Sequence, residues 1–159
     1  MSRPIAATLL LGLAAVSGGG CRGRRDPAPF VVPSPEMRES GYRVAWQSRN
    51  FPPSVAASSK TLARVVFRNS GTEIWHGSVH AVRYFVPEGA PLKEGRDGAP
   101  RLALRRPVAP GQTVTLERFE VAAPARPGRY RLVFDLVNEG VAWFSDRGAP
   151  PFAIPVRVD

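Results

Sequence analysis

The chain has 159 residues, a formal net charge of +9 and one cysteine. That cysteine count excludes an internal disulfide framework, and the length allows one ordinary domain beside a leader segment. The basic balance points to anionic partners rather than cationic ones.

Arg3 and the amino terminus give a positive start. Residues 5–16 form an apolar run broken only by Thr8 and Gly12, and Ser17-Gly18-Gly19-Gly20 leads into Cys21. As a helix the run spans roughly 18 Å at ~1.5 Å per residue, short of a ~30 Å hydrocarbon core. It therefore reads as a secretory signal rather than a membrane span. The pattern resembles the bacterial lipoprotein signal, in which a small residue precedes a lipid-modified cysteine. Gly18 stands where that motif usually has leucine. The resemblance implies that residues 1–20 are removed and that Cys21 carries a diacylglyceryl group, which holds the chain firmly on a membrane surface. Arg22 replaces the Asp that favours inner-membrane retention, so the expected address is the outer membrane of a diderm cell, or otherwise the cell surface. The alternative is an ordinary signal peptide cut near the same glycines, leaving an exported thiol at Cys21.

Residues 21–41 are rich in Arg, Pro, Gly and Ser and read as an extended tether. Arg22, Arg24 and Arg25 sit beside the expected anchor and suit anionic head groups, or simply solvent.

Residues 42–159 form the expected folded domain. Strands are predicted at 42–46, 62–68, 79–86, 102–104, 113–121 and 130–137. A last pair at 141–144 and 154–158 reads as two halves of one interrupted edge strand, with Pro155 suited to an edge. Short strands separated by Pro and Gly predict an all-β, immunoglobulin-like antiparallel sandwich of seven to eight strands. In the 113–121 strand Val114, Leu116 and Val121 are core candidates, and Phe119 breaks the alternation, which predicts a bulge. In the 130–137 strand Tyr130, Leu132, Phe134 and Leu136 share one face. Arg129, Arg131, Val133, Asp135 and Val137 lie on the other, where Arg129, Arg131 and Asp135 are expected to meet solvent. Pro110-Gly111 and Pro127-Gly128 mark turns. Tyr130 sits where a tyrosine corner would place its hydroxyl on nearby backbone.

The run from Val65 through Asn69-Ser70-Gly71-Thr72-Glu73-Ile74 to Trp75, the two Pro-Gly turns, and Leu136-Val137-Asn138-Glu139-Gly140-Val141-Ala142-Trp143-Phe144 occur in that order. This resembles a group of bacterial immunoglobulin-like domains often appended to envelope-glycan enzymes and, distantly, the four-tryptophan domain of autophagy cargo receptors. The resemblance covers about residues 62–159 and implies the fold. Only Trp75 and Trp143 fall within that stretch.

Catalytic signatures are absent: no nucleophile elbow, phosphate loop, dinucleotide fingerprint or zinc-protease motif appears. His76 and His80 are the only histidines and read as surface residues rather than metal ligands. No cofactor is expected. Asp135, Glu139 and Asp146 cluster near the last strands, and a glycosidase pair would need a sugar-sized cleft between them. The candidate ligand-binding residues are Trp75, Tyr84, Trp143 and Phe144, because alternation turns one of Tyr84/Phe85 and one of Trp143/Phe144 outward. Residues 42–159 carry 17 basic against 10 acidic residues. Lipid head groups and acidic glycans suit that charge, whereas nucleic acid does not suit an exported protein without an aromatic-basic reading motif. The expected function is a non-catalytic, membrane-anchored envelope protein binding a protein partner or an anionic glycan. The alternatives are a spacer or accessory subunit of an envelope enzyme and, remotely, a small hydrolase using Asp135 or Asp146.

Overall fold

Among the described residues, short alternating segments cut by proline and glycine form nine strands. They are β1 (Val44–Asn50), β2 (Ser54–Val55), β3 (Lys60–Asn69), β4 (Val79–Pro87), β5 (Arg101–Ala103), β6 (Thr113–Ala122), β7 (Gly128–Asn138), β8 (Ala142–Trp143) and β9 (Phe152–Val158). Two 3-10 turns, Glu39–Gly41 and Phe144–Arg147, complete the regular structure. These elements come from a computed structural model, which describes residues 36–159. The expected signal at 1–20, Cys21 and most of the tether lie outside the described residues.

One sheet has the order β1-β3-β6. The other has the order β2-β9-β7-β4-β5, with β8 also on β7. All pairings are antiparallel except β2 with β9. This order, with the chain passing between the sheets at each step from β1 to β4 and again from β5 to β6 and β6 to β7, is that of an immunoglobulin-like sandwich. β8 and β9 both pair along the side of β7 away from β4, separated by the Phe144–Arg147 turn. The interrupted strand is therefore present. Its second half is covered at one end by β2, a two-residue strand too short to show a period. β2 reaches only Arg157 and Val158, so Pro155 lies on the uncovered stretch.

The expected bulge falls between Leu116 and Phe119, where the β3 partners step from Val65 to Ala63 and Arg118 takes φ 52°. Tyr130 forms the corner, its hydroxyl donating to the Arg126 carbonyl at 3.0 Å. The first strand starts later than expected and runs further. Tyr42 precedes it, fully buried with its ring 5.1 Å from that of Phe144. The packed body also begins before residue 42: Met37 is buried, and the Arg38 amide donates to Glu73 Oε1 at 3.0 Å.

The main core lies between the sheets and includes Phe67, Trp75, Phe119, Leu132, Phe134, Leu136 and Phe144. Each large apolar side chain buried there contributes about 1.5–3 kcal/mol. β7 is central, and its last seven residues are all buried. That overturns the expectation of a solvated outer face at Asp135, whereas Arg129, ahead of the buried run, is exposed as expected. Residues 88–100, the β4–β5 connection, fold over that face and make a second apolar cluster of Val82, Tyr84, Val86, Ala99, Val133 and Val137. Asp135, expected in solvent, is 1% exposed.

The two sides of the sandwich differ. On the β1 side, Arg43 donates to the Arg147 carbonyl at 3.0 Å and Trp46 Nε1 to the Pro150 carbonyl at 3.2 Å. Trp46 also stacks on Phe152 at 5.9 Å, so that side is stitched shut. On the opposite side, β5 and β6 are edge strands.

Candidate functional site

The four aromatic candidates separate into two pairs. Trp75 and Phe144 lie together in the main core, rings 5.3 Å apart and edge to face, and both are fully buried. Trp75 Nε1 donates to the Gly41 carbonyl at 3.0 Å, which satisfies the indole where no water reaches. Neither ring is available to a ligand on the surface. Phe144 turns inward because the chain leaves β8 for a 3-10 turn at that residue.

Tyr84 and Trp143 lie on the other face, in the cluster roofed by residues 88–100. Alternation does aim them away from the main core, but that face is covered. Tyr84 is buried beside Arg96, and its hydroxyl and the Arg96 Nε make no well-aligned hydrogen bond among the described residues. Trp143 is half-buried between two guanidinium groups, Arg96 at 4.8 Å and Arg101 at 5.3 Å from its ring centroid. Such cation–π contacts hold the ring in place.

Arg96 also organises the carboxylates. It donates to Asp146 Oδ1 and Oδ2 at 3.1 and 2.9 Å, bonds Ser145, and lies 3.6 Å from Asp135 Oδ2. Asp135 in turn accepts from the Ser145 hydroxyl and from the Leu136 amide at 2.8 Å. Burial pushes the Asp135 carboxyl up to about 6, against the pull of Ser145, Leu136 and Arg96. For Asp146, partial burial works upward, but Lys93 and Arg96 outweigh it and hold the carboxyl below its usual range. The two aspartates are thus fixed by a shared arginine, and Asp135 is sealed from solvent. The network pins the 88–100 connection onto the sheet. His76 is exposed, and Nδ1 of His80 lies 3.0 Å from the Ser78 carbonyl oxygen. No group of three His, Cys, Asp or Glu suited to a metal occurs among the described residues.

The surface able to receive a ligand lies on the open side. A cleft of about 930 Å³ runs between β6 and the segment from β5 to Val108. Buried Leu104, Val108 and Phe119 and half-buried Leu102, Val114 and Leu116 form its apolar part. Arg105, Arg106 and Arg118 are exposed along it and make no ion pair among the described residues. Arg83 closes one end. It reaches from β4 between the sheets and donates to the Glu120 carbonyl through Nε and Nη2 at 3.0 and 2.7 Å, and to the Pro100 carbonyl at 3.3 Å. Its guanidinium covers the Phe119 ring at 5.5 Å. Sequence reasoning missed this surface because it depends on which strands end up at the edges. The signal available was the Arg105-Arg106 pair beside the alternating run that begins at Thr113.

No protein-family model matches the chain, and no curated protein matches it. Among solved structures it is similar to the native conformation of an E. coli alpha-2-macroglobulin, at 16% identity over 73% of this chain, with a TM-score of 0.40. A β-glucosidase from Listeria innocua in complex with glucose is similar at 14% identity over 73% of this chain, with a TM-score of 0.42. A superoxide reductase (neelaredoxin) from Ignicoccus hospitalis is similar at 17% identity over 74% of this chain and 80% of its own, with a TM-score of 0.32. The chain spans 6% of the macroglobulin and 16% of the glucosidase.

Proposed function

We propose that this protein is a non-catalytic, lipid-anchored envelope protein whose immunoglobulin-like sandwich binds a partner protein through the cleft between β5 and β6. The observation that carries the binding is the contrast between the two sides of the sandwich. The β1 side is closed by side-chain bonds, whereas the β5–β6 side leaves apolar residues half-buried beside three cations that make no ion pair among the described residues. Desolvated apolar area rimmed by charge is the usual composition of a recognition surface. The address rests on the positive start, the apolar run at 5–16, the glycines at 18–20 and Cys21. The non-catalytic reading is supported by the chemistry of Asp135 and Asp146, the acids considered for hydrolysis, which bond the same arginine.

Photo-crosslinking of the full chain in its native envelope tests the binding. A crosslinking amino acid at Thr115, on β6, gives a discrete protein adduct, and one at Gln47, on β1, does not. Absence of an adduct at Thr115, or the same adducts from both positions, overturns it. For the address, Cys21→Ser moves the protein from the membrane to the soluble fraction. Retention of that variant on membranes contradicts lipid anchoring.

A further inference from the structure

We infer that the free edge of β6 receives an extended, acidic segment of the partner protein as an added strand. This rests on the binding reading above and supplies its chemistry. Among the described residues, β6 has a neighbour on one side only, β3. Backbone groups alternate in an antiparallel pair, so every second residue of β6 turns its N–H and C=O away from β3. The Asn69 amide donates to the Gln112 carbonyl, which sets the phase: Val114 and Leu116 bond β3, and Thr113 and Thr115 face the open edge. Among the described residues, no backbone bond outside the β3 ladder is made by residues 113–119. Such an edge is a template for another chain.

The template has definite ends. Arg118 at the bulge turns the strand, and beyond it the Glu120 carbonyl is already taken by Arg83. The usable edge is residues 113–117, about 17 Å at ~3.4 Å per residue, room for a five- or six-residue segment. An incoming strand lies over the cleft, where its alternate side chains meet Leu102, Leu104 and Val108. The exposed Arg105, Arg106 and Arg118 border the same cleft, within reach of acidic groups on the incoming segment.

Charge selects the occupant. A second copy of this chain brings the same three arginines to the junction, and the chain's own tether brings Arg22, Arg24 and Arg25. Like charges brought together disfavour both. An acidic segment with alternating apolar residues satisfies the edge, the apolar part of the cleft and the cations together.

The test uses the full chain in a non-ionic detergent. The probes are a Glu-Val-Glu-Val-Glu-Val peptide, its Lys-Val counterpart, the acidic peptide N-methylated on alternate amides, and a uronic-acid oligosaccharide. Binding is read by fluorescence anisotropy and by hydrogen–deuterium exchange of residues 113–117. The acidic peptide should bind and protect those amides. The lysine peptide should bind at least about tenfold more weakly, and N-methylation should abolish binding. Arg105→Gln with Arg106→Gln should weaken binding about tenfold at unchanged melting temperature. Thr115→Pro should abolish it, because proline removes an edge N–H that the β3 ladder does not use. Failure of the acidic peptide to bind at millimolar concentration overturns the inference. So does binding that survives both N-methylation and Thr115→Pro without protection at 113–117, although the cleft-binding reading then stands. Preference for the oligosaccharide makes the cleft a glycan site and overturns strand addition. Protection of 113–117 that rises with protein concentration alone identifies a second copy as the occupant. Failure of every probe together with loss of the Thr115 crosslink brings down both readings.

Discussion

Arg96→Met removes the cation that the 88–100 connection places against the outer face of β7. Arg96 is 8% exposed and serves two carboxylates of unequal fate. Asp146 keeps Lys93 at 2.6 Å and has water, so it recovers. Asp135 keeps only the Ser145 hydroxyl and the Leu136 amide in a site without solvent. Breaking a buried pair on one side costs about 3–5 kcal/mol, and recovery at Asp146 places this case near 3 kcal/mol. For a body of this size that is a fall in melting temperature of about 10 °C. The loss depends on pH with a definite sign. Burial already raises the Asp135 carboxyl to about 6, above its value of 3.8 in the open chain. Removing the guanidinium raises it further, so in the variant the acid is neutral at about pH 5, where the missing cation matters little, and the penalty grows as pH rises above about 6. Urea unfolding therefore finds a large loss at the higher pH and a smaller one at the lower. Hydrogen exchange finds residues 88–100 opening first. A variant as stable as the parent, or one destabilised equally at both pH values, refutes this account of the network.

Because the folded carboxyl of Asp135 binds its proton more tightly than the unfolded one, its contribution to stability grows as pH falls from about 6 toward about 4, by about 3 kcal/mol. Asp135→Asn removes that slope, and unfolding midpoints measured across the window should be flatter than in the parent; an unchanged slope contradicts the assignment. Gly95→Ala places a Cβ 2.5 Å from Tyr84 Cδ2 and 2.8 Å from the Phe85 carbonyl oxygen. It should unseat the 88–100 connection, seen as increased exposure of Trp143 to a fluorescence quencher with β7 exchange largely retained. Tyr130→Phe loses the bond to the Arg126 carbonyl and should cost about 1 kcal/mol in urea unfolding.

The strands were legible because a half-buried strand alternates and its turns need proline and glycine. The bulge was legible from one break in that alternation, between Leu116 and Phe119. The covered outer face was not. It depends on a polar, glycine-rich connection folding back so that Arg96 meets Asp135, a pairing that no local pattern encodes. A clue was present, since Val133 and Val137 are apolar on the face opposite Leu132, Phe134 and Leu136, and a strand apolar on both faces is covered on both. Alternation turned one of Tyr84/Phe85 and one of Trp143/Phe144 outward without choosing between them, and it carries no information about what lies above that face. Trp75 lies between β3 and β4, where period gives no direction, and Phe144 begins a 3-10 turn, where strand alternation ceases. The open edge of β6 follows from strand order in space, which the linear sequence does not display.

The anchored, partner-binding reading meets its most direct test at the amino terminus of the mature protein. Mass spectrometry of the N-terminal peptide from membrane-fraction material should find a chain that begins at Cys21 and carries a diacylglyceryl group. A mature chain that begins at Met1, or one with an unmodified Cys21 thiol, would contradict it.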